Sequence, residues 1–125
     1  MVLVDTSLWV SHLRKANPHL QKLLVDGEVL CHPFIIGEMA CGNIRNRVEM
    51  ISLLHALPIA QIVQEDELLQ FIENKKIYGL GIGLVDAHLL ASAFLTRAPL
   101  WTTDKNLRKV AEKLKVSTNF NANTV

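Results

Sequence analysis

Residues 2–15, "VLVDTSLWVSHLRK", decide the fold class. Val2 to Val4 read as a brief buried strand and Thr6 to Lys15 as a helix, with Asp5 at the junction. A strand that runs straight into a helix opens a βα unit, and the same alternation continues along the chain. A second helix starts after Asn17-Pro18, where proline suits a first turn. Val29 to Cys31 read as a strand, a helix begins near Pro33, another covers roughly Arg45 to His55, and Ile59 to Val63 read as a strand. Glu65 to Tyr78 is amphipathic, with Leu68, Leu69 and Ile72 on its buried face, acids in its first turn and Lys75-Lys76 near its last. Gly79 is expected to stop it, and "GLGIG" (79–83) leads to a helix over Leu84 to Thr96. Leu100 to Thr102 form a strand, Asp104 to Leu114 a helix, and Val116 a short last strand. The pattern predicts one α/β domain over 1–125, a mainly parallel central sheet flanked by helices on both faces. The polar stretch 118–125 is expected to be a loose tail.

The 125 residues are enough for one core, and a chain half hydrophobic and one-fifth charged is not a disordered one. Mean hydropathy of +0.23 is high for a small soluble monomer and suggests an apolar face covered in a dimer or by a partner. Charge is unevenly spread. Residues 26–73 carry Arg45 and Arg47 against eight acids, whereas 97–115 carry six basic residues against Asp104 and Glu112. Such a basic segment suits either a polyanion or a solvated helix face. Cys31 and Cys41 lack metal-ligand spacing and read as reduced core thiols. No apolar run is long enough to span a membrane and no basic leader precedes one, so the expectation is a cytoplasmic protein with no membrane partner.

Four carboxylates do not suit their surroundings. Asp5 follows the first strand at its carboxyl end, where open α/β sheets place ligands, although an Asp there also serves as an N-cap. Asp104 follows "LWTT" and has the same two readings. Glu38 stands in "IIGEMACG" (35–42) with no cationic partner between Pro33 and Gly42; buried alone, it would be costly. On the helix after "GLGIG", His88, Ser92 and Thr96 recur every fourth residue and read as a solvent stripe, which leaves Asp86 about 200° around, facing the protein. By the same reading His88 is not a ligand, and Trp9 and Trp101 belong to the core. Acids gathered in one pocket repel and raise each other's pKa, and a divalent cation removes the conflict. An all-oxygen set suits Mg²⁺ or Mn²⁺. Ser7, Thr102 and Asn106 lie beside these acids in sequence and are candidates to hold them or ordered waters in place.

The strings "LVDTSLW", an isolated Glu near forty, "GLVDAHLLASA" and "LWTTDKNL" together resemble the PIN-domain family, above all the VapC-type toxins of toxin–antitoxin pairs. The resemblance runs from Val2 to about Val116. It implies a three-layer α/β/α fold and an endoribonuclease dependent on Mg²⁺ or Mn²⁺. It puts the family's four acids, the metal-binding and catalytic groups, on Asp5, Glu38, Asp86 and Asp104. The hydroxyl after the first acid falls on Ser7 and the threonine before the last on Thr102. Some members carry a further acid where this chain has Asn106, which leaves the number of metals open. A VapB-like antitoxin that covers the site and a homodimer are also implied.

The expected chemistry is phosphodiester hydrolysis by a water that the cation acidifies, in line with the leaving oxygen. Asp5, Asp86 and Asp104 are the expected ligands, and Glu38 either binds the metal or deprotonates the water. Lys105 and Arg108 are candidate contacts for flanking RNA phosphates. Two other classes compete. A receiver-like phosphoacceptor also combines acids, Mg²⁺, Thr and Lys on a parallel sheet, but it needs paired acids after the first strand and a lone mid-chain Asp; residues 50–64 contain none. A catalytically silent RNA- or protein-binding module would have no use for all four acids.

Overall fold

The computed structural model describes residues 1–118. Three parallel strands, β1 (Val2–Val4), β2 (Val29–Leu30) and β3 (Leu100–Trp101), lie in the order β2-β1-β3. Val2 pairs with Val29 and Leu3 with Leu30 on one side; Leu3 pairs with Leu100 and Val4 with Trp101 on the other. The central strand is buried at every residue, as an unbroken apolar run in a parallel sheet requires.

Seven helices surround the sheet among the described residues: α1 (Thr6–Arg14), α2 (Pro18–Val25), α3 (Pro33–Cys41), α4 (Arg47–Ala56), α5 (Glu65–Lys75), α6 (Leu84–Thr96) and α7 (Lys105–Lys113). The result is the three-layer α/β/α arrangement. Side chains start several of these helices. Asn17 accepts from Leu20 N–H at 3.0 Å, Asp104 from Leu107 N–H at 3.0 Å, and the His32 imidazole from Phe34 N–H at 3.0 Å. Trp9, Leu20, Leu54, Leu89, Leu90 and Leu100 fill the core.

Several sequence expectations need correction. Ile59 to Val63 do not form a strand: a single parallel bridge joins Ile59 to Cys31, and Ile59 and Ile62 are exposed. At the other edge the bridge is Leu100 to Ser117, with Leu100 N–H bonded to Val116 C=O at 2.7 Å. Glycine does not end α5; Lys76, left-handed at φ 55°, closes it, and Gly79 turns the chain afterwards. The stripe on α6 is not solvated. His88 and Ser92 are buried along with every other residue from Ala87 to Ala93, because α6 is covered nearly all round. Cys31 is buried as expected, but Cys41 is exposed at the end of α3. The expected loose tail lies, from residue 119 onward, outside the described residues.

Candidate active site

Parallel strands deliver their carboxyl ends to one edge of the sheet, and Asp5 stands there directly after β1. It sits at the N-cap position of α1, yet its side chain makes no capping bond. It is 6% exposed and is held from elsewhere: Ser7 Oγ donates to Asp5 Oδ2 at 2.9 Å and Thr102 Oγ1 to the same oxygen at 2.7 Å. Each hydroxyl has one proton, so both must be fed by other donors if their lone pairs are to be used. Backbone N–H groups of the turn after β3 do this, from Thr103 to Ser7 Oγ at 3.1 Å and from Asp104 to Thr102 Oγ1 at 3.0 Å. The Asp104 N–H, the Thr102 hydroxyl and the Asp5 carboxylate therefore form one directed chain across β1 and β3. Both side-chain bonds land on Oδ2, which leaves Oδ1 available to a ligand.

Asp104 is exposed and caps α7 through Oδ1. Asp86 is half-buried in the first turn of α6, with a long contact of 3.4 Å from Gly83 N–H. Burial raises its carboxyl pKa above the ordinary value, and the negative charges of Asp5, Asp104 and Glu38 push it further up. These four acids, from residues 5 to 104 of the chain, therefore share one electrostatic environment.

Glu38 is not the buried carboxylate that its apolar neighbours in sequence suggest. Ile35, Ile36 and Met39 face inward, whereas Phe34, Glu38 and Cys41 line the opposite, open side of α3. Glu38 stands on the wall of an open recess of about 580 Å³, with Thr6, Pro33, Phe34, Gly37 and Val85. Its partner lies on another helix: Thr6 Oγ1 donates to Glu38 Oε1 at 2.7 Å. In sequence Thr6 is one of the hydroxyls beside Asp5 that could hold a carboxylate, but a turn or capping role serves it equally, and the sequence alone does not favour it.

Of the remaining candidates, Ser7 and Thr102 bond to Asp5. Asn106 is exposed and, among the described residues, forms no hydrogen bond to any of the four acids; its amide stands instead against Gly81. Lys105 is exposed and Arg108 half-buried on α7. His88 lies beneath the site, its ring 4.7 Å from that of Phe34 and edge-on to it.

The donor set fits a hard divalent cation in one respect and limits it in another. Every oxygen is a carboxylate or hydroxyl, and the ion pairs of the described residues, Met1 N-terminus to Glu28 and Lys22 to Asp26, involve none of the four acids. Yet among the described residues no three His, Cys, Asp or Glu side chains are drawn together closely enough to hold a metal. Mg²⁺ commonly keeps several waters and takes one or two carboxylates, which is the kind of coordination that splayed acids allow.

A model of the PIN domain matches residues 2–113. Among curated proteins, the chain is 45% identical over 109 residues to ribonuclease VapC32 of Mycobacterium tuberculosis, in both strain CDC 1551 / Oshkosh and strain ATCC 25618 / H37Rv. Each alignment covers 86% of this chain and 88% of the relative. Among the described residues no helix is long and apolar enough to cross a membrane.

Proposed function

This chain belongs to the PIN-domain family, and we infer from that premise that it is an endoribonuclease, hydrolysing RNA phosphodiester bonds as the toxin of a toxin–antitoxin pair. The observation that carries the reading is Asp5, fixed on one oxygen by Ser7 and Thr102 beside the turn that bears Asp104, with the charges of Asp86 and Glu38 near and none of the four acids in an ion pair among the described residues. A divalent cation, Mg²⁺ or Mn²⁺, would supply an acidified water and stabilise charge on the phosphate. Asp5, Asp86 and Asp104 would hold it, directly or through waters. Thr102 and Ser7 fix Asp5 by donating to one of its oxygens. Glu38, anchored on one oxygen by Thr6, either joins the cation's ligands or takes the proton of the attacking water. Neither a receiver-like phosphoacceptor nor a silent binding module gains support from the comparisons.

The natural partner is a VapB-like antitoxin that covers the acids. A homodimer through early helices is consistent with exposed Leu13, Val25, Val48 and Leu53 on α1, α2 and α4, and a single-chain mass in solution would count against it.

Cleavage of RNA in Mg²⁺ or Mn²⁺ tests the reading. Asp5→Asn or Asp86→Asn should lower the rate by at least 100-fold, on the order expected when transition-state charge loses its stabilisation. EDTA should abolish cleavage, and co-expressed antitoxin should relieve growth arrest. Cleavage that survives both the substitutions and the chelator would overturn the metal mechanism.

A further inference from the structure

The connection "GLGIG" meets the acids only through Gly83, and its earlier part is tightly shaped. Gly79 and Gly81 have φ of 69° and 78°, and a Cβ on Gly81 would lie 3.2 Å from Asn106 Nδ2. The loop therefore approaches the Asn106 side chain on α7 closely, in a left-handed turn that favours glycine. Beyond the contact, an open recess of about 220 Å³ is lined by Leu80, Asn106, Lys109, Val110 and Lys113. Pockets for drug-sized ligands begin near roughly 300 Å³, so this one suits a single flat ring.

Asn106, Lys109 and Lys113 lie three and four residues apart, on one flank of α7. The flank starts two residues past Asp104 and runs away from the acids. Lys109 and Lys113 are four residues apart, about 6 Å along the axis, a step close to that between successive phosphates of a single strand. Lys113 Nζ donates to Lys76 C=O at 3.0 Å, which pins the ammonium at the recess and leaves two of its three protons for another acceptor. Glu112 is the one acid within α7; it projects about 120° around from Asn106, and neither lysine forms an ion pair with it among the described residues. Arg108, an expected phosphate contact, projects about 160° from Asn106, on the other flank.

We propose that this recess binds a nucleotide of the RNA a few positions along the strand from the scissile bond, its base against Leu80 and Val110 and its phosphates on Lys109 and Lys113. The proposal rests on the ribonuclease reading. A single strand suits the site because a base must be unstacked to enter a one-ring recess, whereas a paired duplex offers none. An acidic peptide would match the lysines but would have no ring for the apolar floor.

The test separates binding from cleavage. Fluorescein-labelled single-stranded RNA hexamer is titrated in EDTA, which prevents turnover, over a range of salt. The same RNA is then offered for cleavage in Mn²⁺. Lys109→Glu should weaken hexamer binding about tenfold at low salt. Lys109→Gln should flatten the log–log salt slope by about 0.7, the value for one phosphate contact on a single strand. Leu80→Ser should weaken the hexamer but not an abasic hexamer, a difference that mere structural damage would not produce. Arg14→Gln, on α1, is the charge-matched control. If the hexamer is cut but its binding ignores all three substitutions, the subsite is wrong and the ribonuclease reading stands. If it binds as expected yet is never cut, the recess binds RNA but is no subsite of cleavage, and the ribonuclease reading falls with that placement. Polyglutamate that binds in place of RNA and is lost in Lys109→Glu would overturn the proposal in favour of an acidic partner.

Discussion

Asp5 was legible from its neighbours because a strand followed at once by a helix leaves little doubt where the residue between them sits. What the sequence did not show is that its side chain would leave the helix uncapped and take hydroxyls from Ser7 and Thr102. Glu38 misled in the opposite direction. Apolar neighbours implied burial, but on a helix those neighbours divide between two faces, and Glu38 lies on the open one with Thr6 as its partner. The most deeply buried histidine among the described residues is His32, 1% exposed, whose Nδ1 accepts from Phe34 N–H. Burial, with a smaller contribution from His88, lowers its pKa from 6.5 to about 4. A group whose folded pKa is lowered stays neutral in the native state while the unfolded chain takes up a proton. Its contribution is therefore complete above pH 6.5 and is lost as pH falls toward about 4, on the order of 3 kcal/mol. His32→Asn keeps an acceptor for Phe34 N–H and removes the titration. Urea unfolding at pH 7 and pH 4.5 should show a smaller loss of stability in the variant than in the parent; an equal loss would refute the assignment.

At the scale of elements, order and type were readable and edges were not. Apolar periodicity located α5 and α7, where one face is wet and the other dry. It failed on α6, because a helix covered nearly all round buries its polar residues too, and His88 and Ser92 carried no information about solvent. The segment 59–63 looks β-prone, yet a strand at the edge needs a ladder and this one forms a single bridge. The connection into α6 sets where Asp86 stands, and its shape depends on Gly81 at φ 78° beside the Asn106 amide. Gly81→Ala should lower stability by about 1 kcal/mol or more, a fall in melting temperature of about 4 °C. Gly37→Ala, whose Cβ would meet nothing within 4 Å in the middle of α3, should cost nothing and is the control. Equal melting of the two variants would show that the loop is not strained as described.

Across the whole molecule, the parallel order β2-β1-β3 brings together residues that the chain keeps far apart. Asp5 and the Thr102–Asp104 turn follow adjacent strands, so their meeting follows from sheet topology alone. Glu38 and Asp86 arrive on helices, and no period in the sequence predicts how those helices cross the sheet edge. The shared charge of the four acids, felt most by half-buried Asp86, is the central physical claim. Calorimetric titration with Mn²⁺ tests it most directly. The account predicts one saturable site type, weakened at least tenfold by Asp5→Asn and by Asp86→Asn and unchanged by Glu49→Gln, an exposed residue of α4. Mn²⁺ binding that is absent, or that persists equally in both Asn variants, would contradict it.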